Sequence, residues 1–206
     1  MPSEEAPEDA HSRYEQRRQE LQVRLTAQRI LRTHLRRSSA SFWAEIDLDL
    51  TEAHLHRFDL SSCRVKSANF EGATFTGTAS FRLAEFTWAA FFHGATFTGN
   101  TEFDFATLNG GMFNRTKFAG DARFFGVRFV EDVFFGDPRF GDAATFAGDA
   151  VFDEARVAAN SRLVVALPIG WTTRPVAEGE EEGWLYMVRD EDSGEQPTKA
   201  PGDGPA

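Results

Sequence analysis

Cysteine is nearly absent from the 206-residue chain, with Cys63 standing alone. A single thiol excludes an intramolecular disulfide and any thiolate cluster for zinc or iron–sulfur. Nowhere does an apolar run approach the roughly 20 residues that span a bilayer, so no membrane span is expected. No basic stretch followed by an apolar core opens the chain. No signal peptide is read there, and a cytoplasmic location is expected. Basic residues are in the minority, 22 against 32 acidic, for a formal charge of −10. That balance argues against direct nucleic-acid binding through a broad basic surface. Leu (13) and Ile (3) together number fewer than the 21 Phe. Leu is ordinarily the commonest large apolar residue, so the excess of Phe needs a particular cause.

Composition divides the chain into zones. Residues 1–10 hold two Pro and four acids and read as disordered. Ser12 and Glu15 have capping-box spacing, and a basic helix is expected from there to about Arg37, with eight Arg and two Glu in 11–37. Leu21, Val23, Leu25, Ile30, Leu31 and Leu35 give it one broad apolar face. The helix, with Phe42 and Trp43, is expected to form an N-terminal cap over 11–43. Residues 44–168 carry a repeat. Residues 169–189, with a strand at 184–188, are expected to form a C-terminal cap, and 190–206 reads as a disordered tail. The net charge is +2 over 1–43, −6 over 44–168 and −6 over 169–206.

The repeat accounts for the Phe excess. From Leu50 to Leu163, a large apolar residue recurs every five or six positions, and 15 of these 22 centres are Phe. A small residue, usually Ala, sits two positions before each centre, and Gly recurs two positions after. A period of five matches neither a helix at 3.6 nor a strand at 2. It fits a short extended piece followed by a tight turn, with Gly supplying a positive φ. Centre and small residue point inward; the Thr, Asp, Glu, Arg and Asn between them face water.

Ala-Asn-Phe-Glu-Gly (68–72), Ala-Thr-Phe-Thr-Gly (73–77 and 95–99) and Thr-Lys-Phe-Ala-Gly (116–120) resemble the pentapeptide-repeat family in its Phe-centred form. The resemblance implies an all-β fold: a right-handed quadrilateral β-helix with four repeats per coil. About five and a half coils are expected here, a rod about 25 Å long at the usual strand spacing. Grouping centres by four assigns Phe135 and Val157 to face one and Phe118, Phe140 and Leu163 to face two. Phe124 and Phe146 then fall on face three, and Phe129 and Phe152 on face four. The recurrent sixes depart from the family's strict fives and are expected to make one-residue bulges at corners. Phe58 and Pro138, both in the small position, depart as well.

On face one the residue before the centre reads Asp49, Asn69, Phe91, Met112, Phe134, Arg156. Phe91, Met112 and Phe134 thus form an outward apolar stripe, with Trp88 at the nearby corner. Phe105 and Phe125 are likewise placed outside. Contiguous exposed apolar surface marks an interface, so these six residues are the candidate site, for a protein partner or for a homodimer. Thr74 and Thr76 should stack on Thr96 and Thr98 as solvated cross-strand pairs. His54 and His56 lack a third metal ligand, and Cys63 occupies an inward position. No catalytic constellation, P-loop or dinucleotide fingerprint is present, so no cofactor and no enzymatic activity are expected.

Two functions follow. The first is a non-enzymatic scaffold for protein interaction. The second comes from the resemblance: some pentapeptide-repeat proteins mimic duplex DNA and bind, protect or inhibit DNA gyrase and related type II topoisomerases. Asp59, Glu102 and Asp104 suit such mimicry, but Arg82, Arg123 and Arg128 interrupt the acidic side.

Overall fold

The structure, a computed structural model, describes residues 7–136, 142–159, 167–168, 170–175 and 183–190. One helix, α1 (Pro7–Leu35), precedes a solenoid of short strands. α1 begins with Pro at its first position, where the missing N–H costs nothing. It therefore starts ahead of the Ser12–Glu15 box and takes in residues 7–10, which the composition assigned to disorder.

Successive coils pair as parallel ladders. Leu50, Phe70, Phe92, Phe113 and Phe135 follow one another on face one. Face two carries Leu55, Phe75, Phe97, Phe118 and Phe146. Phe81, Phe103, Phe124 and Phe152 stack on face three, following Leu60. Face four carries Val65, Phe86, Leu108, Phe129 and Val157. The array makes about four turns, fewer than the spacing predicted. Adjacent rungs about 4.8 Å apart set its rise at about 19 Å.

The shorter count and the shifted columns have one cause. On faces one and three the carbonyl of the centre accepts a hydrogen bond from the residue three positions on: Ala73 to Phe70, Ala95 to Phe92 and Ala106 to Phe103 are 3.0, 2.9 and 2.8 Å. After Phe135 that donor would be Pro138, which has no N–H. Ala144 N donates to Phe135 O instead, at 2.6 Å. The chain between them is longer than in the other repeats, and the residue in register with Phe118 is Phe146; Phe140, expected there, lies outside the described residues. Phe146 therefore moves to face two, Phe152 to face three, and Val157 to face four. Leu163 is also outside the described residues.

Corner chemistry is set by these turns. On faces one and three, and after Leu55 and Phe75 on face two, the position two after the centre has positive φ, as in a type II turn. Gly72, Gly77, Gly94 and Gly126 fill it, but so do Glu52, Arg57, Ser62, Leu83, Phe105, Arg115 and Glu154. Gly99, Gly120 and Gly148 serve a different need, since none has a positive φ. They stack at the corner between faces two and three, where four of the six-residue spacings fall. A Cβ on Gly120 would come within 2.7 Å of the Gly99 carbonyl carbon, and one on Gly148 within 2.8 Å of that of Gly120.

Stacked Phe rings fill the axis. On face one, Phe70, Phe92, Phe113 and Phe135 are 4.8–5.0 Å apart and within 12° of parallel. Faces one and three meet edge to face, as with Phe92 and Phe103 at 88°. The edge-to-face geometry sets the positive edge of one ring against the electron-rich face of the next. Phe58, in the small position, is buried and meets Phe70, Phe75 and Phe81 at 5.8–6.0 Å. It fills the first coil, where the face centres are Leu and Val rather than Phe.

Both ends of the core are covered. Leu35 is buried in the same cluster as Leu55 and Leu60, with Leu31 packed beside it. Arg36 bridges to Cys63, Gln28 Nε2 donates to the His56 carbonyl, and Arg32 pairs with Asp59 at 2.7 Å. At the other end, Trp184–Arg189 pairs antiparallel with Arg156–Ala158 and with Trp171–Pro175. Arg128 stacks on Trp184, and Trp171 meets Phe152 edge to face at 5.1 Å. Residues 191–206, the greater part of the expected tail, are outside the described residues.

Candidate functional site

The face-one ladder brings three of the sequence-predicted residues together. Met112 lies in register between Phe91 and Phe134. Met112 is exposed, and the two Phe are half-buried. The ladder continues toward the first coil as Asn69 and Asp49. It stops at Phe134: Arg156, expected in the next rung, stands beside Arg128 on face four. Trp88 lies on the strand Glu85–Phe91, which runs from face four into face one, and is 60% exposed. Lys66 Nζ lies 6.0 Å from its ring.

Phe105 and Phe125 form a separate patch at the corner between faces three and four. They meet edge to face at 5.3 Å, and Phe105 remains 48% exposed. Leu83 occupies the same corner position one coil earlier and is 59% exposed, extending this patch. The sequence reading passed over Leu83 because Arg82-Leu83 resembles any solvated turn; only corner alignment sets it beside Phe105. Leu83 and Phe105 both hold φ near +57°, a conformation that bulky side chains rarely adopt. Phe105 presses on Gly126, where a Cβ would lie 2.7 Å from the ring.

Acids near these patches are paired within the chain. Asp104 is buried and its carboxylate lies 3.2 Å from Arg123 and 4.0 Å from Arg82. Glu85 is shared by Arg37 and Arg64 at 3.3 and 3.4 Å. Asp47 accepts from the Ser67 hydroxyl and from Lys66, which together hold its carboxyl below the ordinary value. Asp49 is lowered likewise by the hydroxyl and amide of Thr51.

The remaining reactive groups are built into the wall. Cys63 is buried, and loss of hydration pushes its thiol up to about 11. His56 meets the Thr76 hydroxyl at 3.1 Å, and Thr74 is in register with Thr96. Among the described residues, no group of three or more His, Cys, Asp or Glu is placed to hold a metal ion. A hollow of about 630 Å³ beside the C-terminal hairpin is lined, among the described residues, by Val130, Ala158, Ala159, Gly183 and Trp184, none of them ionisable. No helix among the described residues is long and apolar enough to cross a membrane.

Residues 60–107 match the family model for pentapeptide repeats, in nine copies. No curated protein and no solved structure matches the chain. The matched segment is a pentapeptide-repeat array, and it is continuous in register with the coils on either side.

Proposed function

We propose that this protein is a non-enzymatic interaction scaffold, working in the cytoplasm, with the face-one ladder as its binding surface. One observation carries the reading: Phe91, Met112 and Phe134 occupy one outward position in three successive coils. Solvent-facing positions elsewhere on the rod are largely Thr, Asp, Glu and Arg. Contiguous apolar surface on a rigid solenoid flank is the usual signature of a protein-binding face. Trp88 extends it, and Phe105 with Phe125 offers a second point of contact.

Phe91→Ser with Phe134→Ser tests this. Circular dichroism should show the fold retained, while proteins captured by the wild type should be lost. Retention of the same captured proteins, with unchanged oligomeric state, would sink the proposal.

The DNA-mimic alternative is less well supported. Mimicry needs acids free to stand in for phosphates, whereas Asp59, Glu85 and Asp104 are each paired with arginine. A gyrase supercoiling assay titrated with the protein separates the two readings, since a scaffold leaves supercoiling untouched.

A further inference from the structure

α1 is longer than the cap it forms. Its 29 residues extend about 44 Å at 1.5 Å per residue, roughly twice the rise of the whole solenoid. Its described contacts with the coil begin at Gln28 and run to Leu35, and Leu25 is half-buried. From residues 11 to 24 nearly every side chain is exposed. In proteins most helical stability comes from packing of one face, and an overhang of about 14 residues is near the length at which a helix alone in water is marginal.

The overhang carries apolar residues on both sides. Tyr14 and Leu21 continue the line of Gln28 and Leu35 that meets the coil, yet they are 63% and 39% exposed. Val23, Ala27 and Ile30 lie roughly on the opposite side of the helix at 3.6 residues per turn, and Val23 and Ile30 are 70% and 46% exposed. The sequence pattern read Leu21, Val23 and Ile30 as parts of one face. Apolar residues on opposite sides belong to a helix packed among other helices. Such an arrangement suits a membrane surface badly, because no orientation in the interfacial plane buries both sides.

Charge selects the partner. Between Arg17 and Arg37 the chain holds seven Arg and one Glu. Two copies laid side by side along this segment would set arginines against arginines, so like charge opposes self-pairing. The tail 191–206 has no large apolar residue with which to cover Val23 and Ile30. We infer that the overhang of α1 is a docking element for an acidic amphipathic helix. Its apolar residues would pack on Val23, Ala27 and Ile30; its carboxylates would face Arg17 and Arg29 and compete with Glu20 for Arg24, to which Glu20 is paired within α1.

The probe is a pair of synthetic heptad peptides with the same Leu/Ile core, one flanked by Glu and the other by Lys. The full chain is titrated against each by fluorescence anisotropy. The Glu peptide should bind, and at least about tenfold more weakly at 0.5 M than at 0.05 M salt, since surface charge is screened. The Lys peptide should not bind. Val23→Asp with Ile30→Asp, and separately Arg24→Glu with Arg29→Glu, should each weaken binding about tenfold or more. Phe91→Ser with Phe134→Ser should leave it unchanged, which keeps this test independent of the face-one ladder. Four outcomes overturn the inference: equal binding of both peptides; no binding of either; self-association that Val23→Asp abolishes; or uptake on phosphatidylserine vesicles in place of peptide binding.

Discussion

At the residue scale, the two uses of glycine are separable by substitution. Gly94 has φ +67° and nothing within 4 Å of a would-be Cβ. Gly94→Ala should therefore cost only the left-handed backbone term, about 1 kcal/mol. Gly120 has no positive φ, but its Cβ would lie 2.6 Å from Asn100 Oδ1 and 2.7 Å from the Gly99 backbone. Gly120→Ala must push rungs apart and should cost about 1–3 kcal/mol or more. Urea midpoints of the two variants measure the difference, and a larger loss at Gly94 would contradict the assignment. Cys63 gives a second test. Its thiol is held protonated by burial, with a folded value of about 11 against 9.0 when unperturbed. Because the folded value is raised, this contribution to stability is complete below pH 9 and fades as the pH climbs toward 11. At pH 8.5 the native protein should react with iodoacetamide far more slowly than the urea-unfolded chain. Equal rates would show that the thiol is accessible.

At the element scale, the insertion after Phe135 is the feature most open to manipulation. Deleting residues 137–142 leaves Phe135-Gly-Ala-Ala-Thr-Phe146, a five-residue spacing with Ala144 in the small position. The Ala144 N to Phe135 O turn can then persist as in the other repeats. The variant loses the bonds from Arg115 N to Asp142 O and from Asn114 Nδ2 to Asp142 Oδ2, each worth about 1 kcal/mol. It should fold, with a melting temperature within several degrees of the parent. A collapsed fold would mean that the insertion does more than restore register. Legibility in the sequence was uneven at this scale. Pro138 was visible as a misfit, but the consequence, Phe146 in register with Phe118, depended on which N–H replaced it. In α1 the apolar spacing was legible, whereas its division into a capping end and an overhang depended on the width of the coil.

At the scale of the whole molecule, one Phe-filled core runs from Leu35 to the hairpin residue Met187. A solenoid's ends are its weak points, because an uncovered end exposes the last ring layer. Leu35 is fully buried while Val23 is 70% exposed on the same helix. Leu35→Ala should therefore cost about 2–5 kcal/mol, and Val23→Ala less than about 0.5 kcal/mol. Comparable losses from thermal melts would mean that the overhang supports the coil. Charge is also distributed along the molecule, basic in the helix and acidic through the coils and beyond. Asp59, Glu85 and Asp104 are already paired with arginine, which takes these three acids out of any phosphate mimicry.

By itself, the sequence determined the repeat unit, the inward Phe, the small residue two positions before it and the outward stripe of Phe91, Met112 and Phe134. These are local regularities, and a five-residue period with one inward centre allows few other geometries. Tertiary structure decided which centres share a column beyond Phe135, because register depends on a hydrogen bond that Pro138 cannot make. It also decided that Leu83 joins Phe105 and Phe125, which are neighbours only across coils. Finally, it decided that Val23 and Ile30 face away from the coil that Leu35 closes. Periodicity states which residues are apolar; only the packed partner determines which of them remain uncovered.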